Sequence, residues 1–126
     1  LTVDFQPVAV SIIEEEHLDR QLFNEQVGDD EEFKTIFIDL LIKELVTAKE
    51  KIKEAVQTKD EVELKKLLHK LRGTAGIAGL YRLAEYTRNW ENNTEYHSSN
   101  TKMLTTIELE INTTMKIMKM MFNKKE

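Results

Sequence analysis

Residues 67–80 read LLHKLRGTAGIAGL, a stretch of helical apolar spacing that carries one His, flanking cations and three glycines. Glycine costs about 1 kcal/mol relative to alanine inside a helix, so this clustering needs a physical reason. With His69 set at 0° and about 100° added per residue, Leu64, Leu67, Leu68, Leu71, Ala75 and Ala78 fall between about 160° and 260°. That arc is the buried side, and His69 points away from it. Gly73 and Gly76 fall at about 40° and −20°, so two neighbouring positions on the His face lack side chains. Lys65, Lys66 and Arg72 lie within about 60° of the same direction. An imidazole thus stands on a bare strip of helix among cations, in a chain of net charge −5.

Phosphoryl transfer is the chemistry that suits this group. Imidazole has an unperturbed pKa of about 6.5 and is a competent nucleophile near neutrality. Lys65, Lys66 and Arg72 offset the charge of an arriving phosphate, and Arg72 also offers paired hydrogen bonds. Bare positions at Gly73 and Gly76 admit a phosphorylated partner in line with the ring, and such chemistry depends mostly on positioning and charge stabilisation. Gly79 fits helix packing or termination better than access. An ordinary surface histidine is the plainer alternative, and it leaves the coincidence of exposure, glycines and cations unexplained.

Composition narrows the setting. The 126 residues suit one domain, with 40% hydrophobic and 33% charged residues. The single proline, Pro7, leaves room for long helices, and the lack of cysteine excludes disulfides and thiolate chemistry. No apolar run approaches the ~18 residues of a membrane span, and no signal-peptide pattern is present. The acidic balance argues against general nucleic-acid binding. A cytoplasmic domain with no membrane contact of its own is expected, and Leu1 in place of Met suggests a piece of a longer chain.

The elements that position His69 read as helices. Residues 1–16 form an expected arm or linker ahead of a bundle at 17–126. Ser11 and Glu14 have capping-box spacing and open a short helix to about Val27, with Leu18, Leu22 and Phe23 inward. Gly28 ends it, and Asp29 and Asp30 cap the next. There Phe33, Ile36, Phe37, Leu40, Leu41, Leu45, Ala48, Ile52 and Ala55 form one stripe at spacings of three and four. Ile38 and Ile42 fall outside it, and either widen the core contact or lie on a docking surface. Asp60 follows the turn at 57–60 and caps the His69 helix. Leu80, Leu83, Ala84, Thr87 and Trp90 face inward on a fourth helix, and a polar loop spans 92–100. Leu104, Ile107, Ile111, Met115, Met118 and Phe122 line the last helix, from about Thr101 to Asn123. Its methionines suit core filling better than a binding groove. Short loops make neighbours antiparallel, so the expected fold is all-α, an antiparallel four-helix bundle with a short additional N-terminal helix.

The His69 segment closely resembles the histidine-containing phosphotransfer (HPt) domains of multistep phosphorelays. The family pattern runs His, any residue, an aliphatic, Lys or Arg, Gly, Ser or Thr, a small residue, and a further Gly downstream. Here it is His69, Lys70, Leu71, Arg72, Gly73, Thr74 and Ala75, then Gly79. Leu83 and Asn89–Glu91 match an aliphatic and a polar or acidic residue on the following helix, and the resemblance covers about residues 17–123. It implies a monomeric carrier, without cofactor or metal, whose His takes a phosphoryl group from a receiver-domain aspartate and passes it to another. It further implies that Arg72 steadies that group, that Gly73 gives access, that Thr74 contributes hydrogen bonding and that Glu91 holds the second ring nitrogen. Lys65, Lys66 and Gly76, with Ile38 and Ile42 where exposed, are the expected partner-docking residues. Ile77 departs from the polar residue often found at its position. A hybrid sensor histidine kinase is the expected parent protein.

Other classes fit less well. No Gly-rich phosphate loop is present, so a self-sufficient kinase is not expected. Glu14 and His17 have the Glu-x-x-His spacing of di-iron bundles, but that site needs two such motifs. A helical adaptor or degenerate carrier that only binds receivers is the main alternative. His17 and His97 sit among polar residues and read as surface histidines.

Overall fold

Three aspartates set where helices begin. In the computed structural model, which describes residues 16–92 and 101–122, Asp19 opens α1 (Arg20–Val27), Asp30 opens α2 (Glu31–Gln57) and Asp60 opens α3 (Glu61–Ala78). Their carboxylates accept N–H bonds from Leu22 at 3.1 Å, from Glu32 and Phe33 at 2.9 and 3.2 Å, and from Glu63 at 3.1 Å. Each bond satisfies an N–H that a helix start leaves unpaired, and places negative charge at the positive end of the helix dipole. Two further helices follow, α4 (Tyr81–Asn92) and α5 (Thr101–Phe122).

The expected single helix from Ser11 to Val27 is corrected. Glu16 and His17 are helical, but the run stops at Leu18. Asp19 N–H bonds Gly79 O at 2.8 Å, so it cannot extend a helical ladder, and α1 restarts beyond it. The expected arm up to residue 15, its Ser11–Glu14 capping box, His97 and residues 93–100 of the expected loop lie outside the described residues.

Contacts run from α2 to α3, α3 to α4, α4 to α5 and back from α5 to α2, while α1 lies against α3 and α2. That ring, with short connections from α2 through α4, is an antiparallel four-helix bundle with a short extra helix. The described residues are helical, without strands. Leu45, Ile52, Leu64, Leu68, Leu71, Leu83, Trp90, Ile107, Ile111 and Met118 fill its centre. Met103, Met115 and Met121 pack against it in part, so the methionines serve mainly as core filler. Buried Thr87 and Thr114 bond carbonyls of their own helices, at 2.8 Å to Ala84 O and 3.0 Å to Ile111 O, and so join the apolar stripes without stranded hydroxyls.

The first half of α2 differs from expectation. Ile38 is only 4% exposed and belongs to the core, and half-buried Ile42 packs against it. Both widen the core, so neither forms an exposed docking surface. Phe33, Ile36 and Leu40, expected in the buried stripe, are exposed instead, Leu40 by 60%. Residues 36–42 are apolar at every position but one, so periodicity alone cannot choose the inward flank. Neighbouring helices choose it.

The α3–α4 turn is closed by Gly79 at φ 80°, in the left-handed region. Leu80 N–H bonds Ala75 O at 2.8 Å and Gly79 N–H bonds Gly76 O at 3.3 Å, the bond pair of a Schellman ending. A Cβ at Gly79 would meet Asp19 O at 3.0 Å and Phe23 N at 3.4 Å. Gly79→Ala therefore combines left-handed strain with crowding against α1. It should lower stability by about 1–2 kcal/mol, read as a fall in urea midpoint with unchanged slope.

Candidate functional site

The tight α3–α4 turn makes a level pair of His69 and Glu91, each eleven residues from Leu80. Their side chains meet, with His69 Nδ1 and Glu91 Oε2 2.9 Å apart. The imidazole is 66% exposed and the carboxylate 14%. Trp90, buried beside Glu91, anchors that part of α4 in the core. The site therefore joins a reachable ring to a fixed acceptor.

Arg72 lies one turn along α3 on the flank facing α4. Its NH2 is 3.2 Å from His69 Nδ1 and its NH1 is 3.6 Å from Glu91 Oε1. Two groups thus converge on one ring nitrogen. An ionised carboxylate only accepts and a guanidinium only donates, so a neutral ring satisfies one of them at a time. The shorter contact is to Glu91, and it is a hydrogen bond when the proton sits on Nδ1 and the lone pair on Nε2. Among the described residues no side chain bonds Nε2, the outward nitrogen.

Lys70 turns the other way and pairs with Glu44 of α2 at 3.3 Å. Lys65 and Lys66 are exposed on the His face. A Cβ built at Gly73 or Gly76 meets nothing within 4 Å, so both positions border open space. Thr74 is half-buried, about 140° round the helix from His69. It stands on a different flank from the ring.

The Lys70–Glu44 pair also fixes how α2 lies beside this face. With the two helices antiparallel, the residues before Glu44 run alongside those after Lys70. Exposed Leu40, Ile36 and Phe33 share the face of α2 that carries Glu44, and Ile77 shares the face of α3 that carries Lys70 and is 62% exposed. Phe33 stacks on Phe37 with ring centroids 6.1 Å apart, and Phe37 meets Phe23 of α1 edge-on at 5.9 Å. Sequence reasoning missed this apolar border. Its signal was the surplus of apolar residues in α2, more than one inward stripe uses. The other correction concerns His17. It is largely buried, with Nδ1 2.6 Å from Glu110 Oε2, and is not a surface histidine.

An outward ring nitrogen on an open, cationic helix face, backed by a carboxylate and set in a four-helix bundle, is the arrangement of a phosphotransfer module. A family model described as the Hpt domain matches residues 36–115, more than half of the chain, and the chain belongs to that family. Comparison with curated proteins and with solved structures gives no match. Hpt domains are phosphocarriers rather than true enzymes, act in phosphorelays and interact with receiver domains of response regulators. No helix among the described residues is long and apolar enough to cross a membrane.

The ring tautomer has a direct readout. At about pH 8.5, roughly two units above the ordinary imidazole value, 15N NMR should show Nδ1 protonated and Nε2 bare. Glu91→Ala should move the proton to Nε2, because Arg72 then donates to Nδ1 without competition. A wild-type ring protonated at Nε2 would contradict the assignment.

Proposed function

We propose that His69 accepts a phosphoryl group from a receiver-domain aspartate and passes it to a second receiver. The carrying observation is the exposed ring whose inner nitrogen is held by Glu91. The Nε2 lone pair attacks phosphorus as the bond to the aspartate oxygen breaks, and that electron pair leaves with the carboxylate. The Nδ1 proton stays on the ring, where Glu91 faces the positive charge that develops. Arg72 is within reach of the transferring group. In the reverse step the electrons of the N–P bond return to Nε2, so neither direction needs a proton from water.

Receiver docking is assigned to the bare strip at Gly73 and Gly76, to Lys65 and Lys66, and to the apolar border of Leu40, Ile36 and Ile77. Ile38 and Ile42 are not part of it. Thr74 is assigned a supporting rather than a contacting role, because of its flank. The reading describes a monomeric cytoplasmic carrier within a hybrid sensor histidine kinase, which takes its phosphoryl group from other domains.

His69→Gln should abolish an acid-labile, alkali-stable phosphorylation while leaving helicity intact. Undiminished label in that variant would sink the assignment, and binding of receivers without label in the wild type would make the chain an adaptor.

The docking face is tested by comparing protein and small phosphodonors. Gly73→Ala should add about 0.8–1 kcal/mol of stability, as expected at an open helical position, and keep much of the transfer. Gly73→Leu and Leu40→Glu should stay folded and lose at least about tenfold in transfer from a phosphorylated receiver, the equivalent of about 1.4 kcal/mol. Phosphoramidate should still label His69 in both. Equal loss from both donors would place the defect at the ring instead of the docking face.

A further inference from the structure

One ionisable pair lies in the interior where phosphotransfer makes no use of it. Glu110 of α5 is 5% exposed, and its Oε2 is 2.6 Å from Nδ1 of largely buried His17. Burial raises the Glu110 carboxyl above its ordinary value of 4.5, outweighing the lowering by His17 and Arg82. The other charges that face it are Arg82 of α4 and Glu16 of the incoming segment, which pair with each other at 3.5 Å. Arg82 is thereby offset by Glu16. Among the described residues, His17 is the group touching Glu110 that can carry a balancing charge.

Residues 16–19 each hold this segment to the bundle. Glu16 reaches Arg82 on α4, His17 reaches Glu110 on α5, and Leu18 is buried in the core. Asp19 N–H bonds Gly79 O at the end of α3 at 2.8 Å. We propose that residues 16–19 form a proton-operated clasp: one proton shared between His17 and Glu110 holds it shut, and the clasp opens from the end of α3, the start of α4 and the middle of α5 as that proton leaves.

The closed pair carries one proton between Nδ1 and Oε2, besides the one on Nε2. Imidazolium with carboxylate and imidazole with carboxylic acid have the same charge, and the proton belongs to the pair. When it passes to water, a net negative charge is left in the interior. Burying an uncompensated charge is costly, and the Arg82–Glu16 pair has no net charge to offer. The least disruptive relief is for His17 to lift away and admit water to Glu110. The linkage has the same sign. A carboxyl raised on folding stabilises the fold fully below its ordinary value of 4.5, and that contribution is lost as pH rises through the raised value.

Amide hydrogen exchange in the intact protein tests the clasp. The Asp19 amide reports the segment through its bond to Gly79, and the Ile52 amide reports opening of the whole bundle. After correction for intrinsic exchange, Asp19 protection should fall at least about tenfold as pH rises from the ordinary carboxyl value of 4.5 to about 8.5, the effect of one unit of proton preference. Ile52 should not follow. Glu110→Gln keeps an oxygen that accepts from Nδ1–H and leaves no charge to uncover, so its Asp19 protection should stay flat. His17→Gln removes the balancing cation, so Asp19 should lose protection at lower pH than in the wild type, once Glu110 ionises, while helicity persists. A flat wild-type profile, Asp19 tracking Ile52, the wild-type pH response surviving in Glu110→Gln, or an unshifted response in His17→Gln would overturn the proposal. These readouts do not involve His69, so they stand or fall separately from phosphotransfer.

Discussion

The close approach of backbones at Gly79 is the constraint on which the site depends. A left-handed residue ends α3, both bonds of the turn close on Gly76 and Ala75, and the chain re-enters helix within two residues. So short a turn fixes the register of α3 against α4 and sets His69 level with Glu91. The same turn presents Gly79 O to Asp19, which stops the upstream helical run and starts α1. One longer connection would loosen both the carboxylate behind the ring and the seat of the N-terminal segment.

Charge is distributed so that the ring is oriented without being covered. Arg72 and Lys70 lie on opposite flanks of α3 and are drawn towards Glu91 of α4 and Glu44 of α2 respectively. Their pairing leaves the centre of the face to His69, Gly73 and Gly76. Exposed ion pairs contribute little to stability, so these contacts serve geometry more than energy. Glu91 is different, because its carboxylate is mostly buried. A buried acceptor behind an exposed ring leaves the other nitrogen outward.

The interior shows a second use of carboxylate and imidazole. On the His69 face a buried carboxylate holds an exposed ring, whereas at the N-terminal segment both partners are largely enclosed. Water can screen His69 and cannot easily screen His17. Similar contacts thus orient an exposed ring in one place and hold a chain segment in the other. The apolar residues of α2 divide in a comparable way. Ile38, Leu41 and Leu45 are core, while Phe33, Ile36 and Leu40 border the His face.

Much of this was legible in the sequence because it depends on local spacing. Aspartates at 30 and 60 mark helix starts, Gly79 marks an end, and the angular separation of Leu71 and Ala75 from His69 places the ring outward. The pairing of His69 with Glu91 entered as an implication of the family resemblance, and the length of the turn explains it physically. Spacing could not tell which flank of α2 is buried, because apolar residues in its first half surround the helix, and only packed neighbours break that tie. Nor could it find His17 against Glu110, ninety-three residues apart. Each sits in a polar local context, and burial is a property of the assembled bundle. Local periodicity determined the helices and the face carrying His69; tertiary packing decided which apolar flank stayed outside and which acid met the second histidine.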